Sequence, residues 1–172
     1  DADRFHPSLS IRSYFRKIIG KTALLFSLAC HVGASEAKAP STVTERLRRI
    51  GYNIGMAFQI IDDILDYTGN ETEIKKPVGN DLRSGLVTLP LICALQKDVD
   101  GELARLVQPD TFPHSDIQRI LVLTKTLGGI DAARLYAQRF TARALREIEQ
   151  LPRGTAQQNM EQLAKKLLIR TY

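Results

Sequence analysis

Three aspartates stand at i, i+1 and i+4 in the run Gly55-Met56-Ala57-Phe58-Gln59-Ile60-Ile61-Asp62-Asp63-Ile64-Leu65-Asp66. On a helix, with about 100° between residues, Asp62, Asp63, Asp66 and Gln59 share one arc, and Gly51 and Gly55 fall on the same stripe. Met56, Ile60, Ile64 and Leu65 mostly point elsewhere. Carboxylates at i,i+4 repel, and burying them unpaired costs more, so the arc calls for a cation. Hard oxygen ligands without His or Cys suit Mg²⁺, which takes one or two carboxylates and fills its octahedron with water and phosphate. A solvated acidic helix end is the plainer alternative, but it would not need apolar residues around so much of its circumference.

Downstream comes a polar stretch, Lys75-Lys76-Pro77-Val78-Gly79-Asn80-Asp81-Leu82-Arg83-Ser84-Gly85, then Val87-Thr88-Leu89-Pro90-Leu91, where Pro suits the first turn of a new helix. Phe58-Gln59-x-x-Asp62-Asp63-x-x-Asp66, then Lys76-Pro77-x-Gly79-x-Asp81-Leu82-x-x-Gly85, then Thr88-Leu89-Pro90, resembles the second aspartate-rich region of trans-type polyprenyl diphosphate synthases. The likeness extends to the long-chain branch, including the catalytic subunit of bacterial heptaprenyl diphosphate synthase. It covers nearly all of these residues, but only the C-terminal half of that family's chain.

The resemblance implies a Mg²⁺-dependent prenyltransferase that condenses isopentenyl diphosphate with an allylic diphosphate. It implies Asp62, Asp63 and Asp66 as metal-binding and catalytic residues. It implies diphosphate contacts from Lys21, Thr22, Gln59 and Lys76, with Lys21 counted as catalytic too. Tyr14 to Ala23 resembles the family's Lys-Thr helix, whose Lys reaches the allylic diphosphate; spacing alone would make Tyr14, Lys17 and Lys21 a solvated basic stripe. Lys75 stands where Gly usually precedes the Lys, and Leu86 where many short-chain members carry a Lys. The second departure implies a long-chain product. The family's first aspartate-rich motif has no counterpart, since Asp62 to Asp66 is the only Asp-Asp-x-x-Asp. With that motif absent, the alternative is a non-catalytic subunit or an inactive fragment on the same fold. A homodimer, or a heterodimer with a small regulatory subunit, is the implied assembly.

The elements that must position these residues read as helices throughout. Ile11, Phe15, Ile18, Leu25, Leu28 and Ala29 recur at helical spacings, predicting a helix over Ser10 to Ala34. Ser41 or Thr42 can cap a central helix over Val43 to Tyr67, with Glu45 in its first turns. Gly51 and Gly55 inside it cost about 1 kcal/mol each against Ala, which asks for a ligand or a closely packed helix beside them. Thr68 to Leu86 is expected to be a long connection whose Lys76, Gly79 and Asp81 act as a flap. Helices follow over Thr88 to Lys97, Val99 to Val107, Ser115 to Leu127, Ile130 to Leu151 and Thr155 to Ile169, with a turn at Gln108 to Pro113. No window shows period-two alternation, so the fold class is all-α. Together with the resemblance this means a helical bundle of the isoprenoid synthase type, a single helical domain over 1–172 that forms the C-terminal half of a longer synthase.

Composition narrows the partners. The chain has 172 residues, 44% hydrophobic and 25% charged, with a net charge of +5, enough for one core and for anionic ligands. Basic residues are spread along the chain without a nucleic-acid motif, so nucleic acid is not an expected partner. No uninterrupted apolar run reaches roughly 18 residues, so no transmembrane segment is expected, and no secretory signal is visible. Cys30 and Cys93 read as buried free thiols of a cytoplasmic protein. His6, His31 and His114 lack metal-ligand spacing.

Overall fold

The computed structural model describes residues 10–68, 78–110 and 112–168, and among them every regular element is a helix. Helix α1 spans Ile11–Ile18, passes through a π-helical turn at Ile19–Ala23, and continues as α2, Leu24–Glu36. The central helix α3 spans Ser41–Thr68. Shorter helices follow: α4 (Asn80–Arg83), α5 (Leu89–Leu95), α6 (Glu102–Leu106) and α7 (Ile117–Thr126). Two longer ones close the order, α8 (Gly129–Glu149) and α9 (Thr155–Leu168). The all-α expectation holds, and the aspartate motif lies in the last two turns of the central helix.

The π turn corrects the expected inner face. Tyr14 and Ile18 are buried four residues apart, but the next buried residue is Ala23, five further on, followed by Ser27 and Ala34. One extra residue in the turn shifts the helix's phase. Leu25 and Leu28, which on an uninterrupted α-helix would share the face of Tyr14 and Ile18, are therefore 67% and 58% exposed, beside exposed Leu24 and Val32. A second correction follows from the unbroken backbone: the helical run Ile11–Glu36 is, by length and composition alone, apolar enough to cross a membrane. Counting uninterrupted apolar residues missed this, because Lys21 and the small polar residues dilute the run without breaking the helix.

The described residues fall into two compact units. The first holds residues up to Phe15 and Asp62–Arg134. Here α5 and α6 pack on α7, burying Leu89, Leu91, Leu103, Val107 and Ile120. Pro90 occupies the first turn of α5, as its missing N–H allows. Asp116 caps α7, its carboxylate accepting from Gln118 N at 2.9 Å and Arg119 N at 3.2 Å. Arg119 reaches Glu102 at 2.6 Å.

The second unit holds Arg16–Ile61 and residues from Leu135 onward. Its core is Ile50 and Ile54 of α3, Ala144, Ile148 and Leu151, and Ala164 of α9, with Phe26, Leu47 and Met160 against them. Glu147 of α8 meets Arg46 at 3.0 Å and Arg49 at 3.1 Å on α3. Phe26 of α2 lies against Phe58 of α3, ring centroids 5.6 Å apart, and Ser27 Oγ donates to Arg48 O at 3.1 Å. Gly51 and Gly55 make room for this approach: a Cβ at Gly51 would stand 2.4 Å from Phe26 O, and one at Gly55 2.8 Å from Ala23 Cα. The two glycines serve helix packing. At the start of α3, Ser41 is already helical, Thr44 Oγ1 donates back to Ala39 O, and Glu45 pairs with Arg48 at 2.6 Å. An arginine three residues on, one turn along the same face, competes with the backbone for that carboxylate.

Candidate active site

The three aspartates of α3 have three different surroundings. Asp62 is exposed. Asp63 is 4% exposed, and its Oδ2 accepts a 2.6 Å hydrogen bond from the hydroxyl of Tyr14, itself 3% exposed on α1. A buried carboxylate needs such a donor, because an uncompensated one would cost several kcal/mol. Asp66 is partly buried and faces α4: Oδ1 accepts from Asn80 N and Oδ2 from Asp81 N, each at 3.0 Å, while Asp66 O accepts from Gly79 N at 2.8 Å. A carboxylate at the first free amides of a helix is the favoured capping arrangement, here supplied from another helix. Gly79 enters α4 with φ of +79°, a left-handed conformation that glycine adopts without strain.

Burial sets the proton affinities here. The Asp66 carboxyl is raised, first by desolvation and further by the charges of Asp81 and Asp62, with the two backbone amides pulling the other way. Tyr14 is raised well above an ordinary phenol by burial and then by the Asp63 charge. Tyr67, which accepts from Thr88 Oγ1 at 3.2 Å, is raised mainly by burial.

Among the described residues no three His, Cys, Asp or Glu side chains gather closely enough to hold a metal ion. The motif does not make a three-carboxylate cage, because Asp63 turns inward to Tyr14 and Asp66 turns to the α4 amides. The donor chemistry still fits a hard cation: Asp62 offers an open carboxylate, and Mg²⁺ needs only one or two from protein. Thr22 and Gln59 are brought together, Thr22 Oγ1 donating to Gln59 Oε1 at 2.7 Å. Lys21 is exposed in the π turn, an element often found at functional sites. Lys76 lies outside the described residues. The connection over Thr68 to Leu86 is corrected in part, since it contains α4. Tyr14 and the Asn80 and Asp81 amides were not assigned to the site from sequence. Tyr14 stands seven residues before Lys21, but only the structure shows what its hydroxyl meets.

Every regular element among the described residues is helical, as in an isoprenoid synthase fold. Residues 1–124 match the Polyprenyl synthetase family, and the chain belongs to that family. It is 35% identical over 163 residues to heptaprenyl diphosphate synthase component 2 of Bacillus subtilis, covering 95% of this chain and 47% of that one. It is 38% identical over 159 residues to all-trans-nonaprenyl-diphosphate synthase of Rhodobacter capsulatus, 91% of this chain and 48% of the relative. The crystal structure of heptaprenyl diphosphate synthase from Staphylococcus aureus superposes with a TM-score of 0.92 at 33% identity, over 99% of this chain and 54% of that one. A polyprenyl synthase from Caulobacter crescentus, solved with calcium and isoprenyl diphosphate, gives 0.88 at 29%, over 98% and 52%. The chain spans about half the length of the curated relatives it matches.

Proposed function

We propose that this chain works in a prenyltransferase that joins isopentenyl diphosphate to an allylic diphosphate, with Mg²⁺ as its metal. The observation that carries the reading is the exposed carboxylate of Asp62, next to two motif partners held in place by hydrogen bonds. Family membership supports the reaction class. Mg²⁺ bound there would supply positive charge to the departing diphosphate.

The residues divide the remaining work. Asp62 would hold the metal, with Asp66 beside it on the same helix capping α4. Lys21, Thr22, Gln59 and Lys76 would position or neutralise the diphosphate. As the allylic carbon–oxygen bond breaks, these fixed charges stabilise the diphosphate that leaves. The isopentenyl double bond then attacks the allylic carbon, and a proton is lost from the adduct. Helix faces lined with apolar residues hold the growing chain. A long-chain product and a second subunit belong to this reading; two relatives carry the name component 2. A cytoplasmic setting is supported by the free thiols Cys30 and Cys93. The chain holds one aspartate-rich motif, so residues 1–172 alone are expected to bind Mg²⁺–diphosphate weakly and to elongate poorly.

The test is incorporation of radiolabelled isopentenyl diphosphate by the full-length protein with Asp or Ala at position 62. Turnover is expected to fall by about 10²-fold or more, the scale of losing one electrostatic contact to developing charge, with the melting temperature little changed. Unchanged turnover with Ala at 62 would remove the central role given to that carboxylate.

A further inference from the structure

Asp63 lies on α3 between two residues offered to the site, Asp62 and Asp66, yet it faces the interior. Asp63 is 4% exposed, and its Oδ2 accepts from the hydroxyl of Tyr14 on a different helix, α1. Successive residues of a helix point about 100° apart, so fixing the direction of Asp63 fixes that of Asp62. Pinned inward, Asp63 leaves Asp62 turned outward, as observed. The Tyr14–Asp63 bond adds a directional constraint to the apolar packing of Ile64 and Tyr67, which are also buried there. A 2.6 Å bond to a charged acceptor is short, directional and strong.

We propose that Tyr14 is a positioning residue for the metal-facing carboxylate: its hydroxyl holds Asp63 inside the fold, and through Asp63 it sets the rotation of the motif end of α3 that presents Asp62. This rests on the reading of Asp62 as the metal-holding group. It separates the two adjacent aspartates by role, one toward the cation and one toward the phenol. The Tyr14 ring itself is core: it lies 5.7 Å from the Phe15 ring, so its hydroxyl can be removed while the packing stays.

The test titrates Mg²⁺ calorimetrically into the full-length protein with inorganic diphosphate present, at a temperature well below unfolding. The wild type is compared with Tyr14→Phe, Asp63→Asn and Asp62→Asn, and each melting temperature is recorded. Asparagine at 63 keeps an oxygen for the Tyr14 hydroxyl, so Asp63→Asn should bind Mg²⁺–diphosphate within about threefold of wild type. Tyr14→Phe keeps the ring and loses the bond, and should weaken binding by about tenfold. Asp62→Asn should weaken it further than either. If Asp63→Asn loses as much affinity as Asp62→Asn, Asp63 is itself a ligand and the proposal is overturned. If Tyr14→Phe lowers the melting temperature but binds like wild type, the tyrosine is merely structural and the proposal is overturned too. If Tyr14→Phe does not fold, Asp63→Leu, which removes the acceptor, takes its place: with Asp63→Asn near wild type, a weakening of about tenfold is expected, and binding like wild type overturns the proposal. Unchanged binding in Asp62→Asn would sink the reading of the metal site, and retained sensitivity to Tyr14→Phe would then show that the anchor serves another carboxylate.

Discussion

Replacing Gly51 by alanine sets two effects against each other. Helix propensity favours alanine by about 1 kcal/mol in a helix interior, so the isolated helix would gain. The packing opposes it. The new Cβ would lie 2.4 Å from Phe26 O, 2.9 Å from Phe26 C and 2.9 Å from Cys30 Sγ. Carbon contacts are comfortable at about 3.5–4.0 Å, so the shortfall is on the order of 1 Å. Cys30 can rotate away, but Phe26 contributes backbone, and backbone yields only if α2 moves off α3. That movement loosens the Ser27 Oγ to Arg48 O bond and the Phe26–Phe58 ring contact. Overpacking of this kind costs about 1–3 kcal/mol, with backbone collisions at or above the upper end. Less the propensity gain of about 1 kcal/mol, the net is a destabilisation of about 2 kcal/mol or more. For a chain of this size that is a fall of roughly 3–10 °C in melting temperature. The assay is thermal unfolding by far-ultraviolet circular dichroism, with Gly33→Ala in α2 as control. Nothing lies within 4 Å of a Cβ at Gly33, so that variant should gain about 0.5–1 kcal/mol. A Gly51→Ala protein that melts at or above the wild-type temperature would refute the packing argument.

Two pH effects follow from burial. The Asp66 carboxyl is raised, so just above the ordinary aspartate range the folded state holds more proton than the unfolded state. Stability from this group is therefore highest at low pH and declines as pH rises through its folded pKa, so the melting temperature of wild type minus that of Asp66→Asn should decrease as pH rises above the ordinary aspartate range, about 4; a difference that grows with pH would contradict it. Tyr14 and Tyr67 are likewise raised, which keeps them protonated in the folded protein above pH ~10, while unfolding releases their protons and stability falls as pH rises further. Ultraviolet titration of tyrosinate in the native protein should show these two phenols absent from the first step and appearing with alkaline unfolding; full ionisation of every tyrosine before unfolding would contradict their burial.

Local rules carried the element types. Apolar residues at 3.6-residue spacing marked every helix from Thr88 onward, and Pro90 and Gly128 stand where a helix can begin or end without loss. They also carried the position of the motif on the central helix, because polar side chains on one arc of an apolar helix are visible without any partner. Local rules failed at the π turn: one inserted residue moves Leu25 and Leu28 to the outside, and periodicity alone contains no sign of it. At the start of α3 the candidate cap Ser41 lies inside the helix, and Glu45 pairs with Arg48.

The sequence by itself determined an all-helical chain, its family, and the oxygen chemistry of Asp62, Asp63 and Asp66, since residue type and spacing along one helix are enough for those. Only the tertiary structure decided what each aspartate faces. Solvent at Asp62, the Tyr14 hydroxyl at Asp63 and the α4 amides at Asp66 come from segments 49 residues upstream and about 15 residues downstream of the motif. Contacts over such separations depend on how helices cross and which buried polar group finds a donor, and these are properties of the packed molecule rather than of any stretch of it.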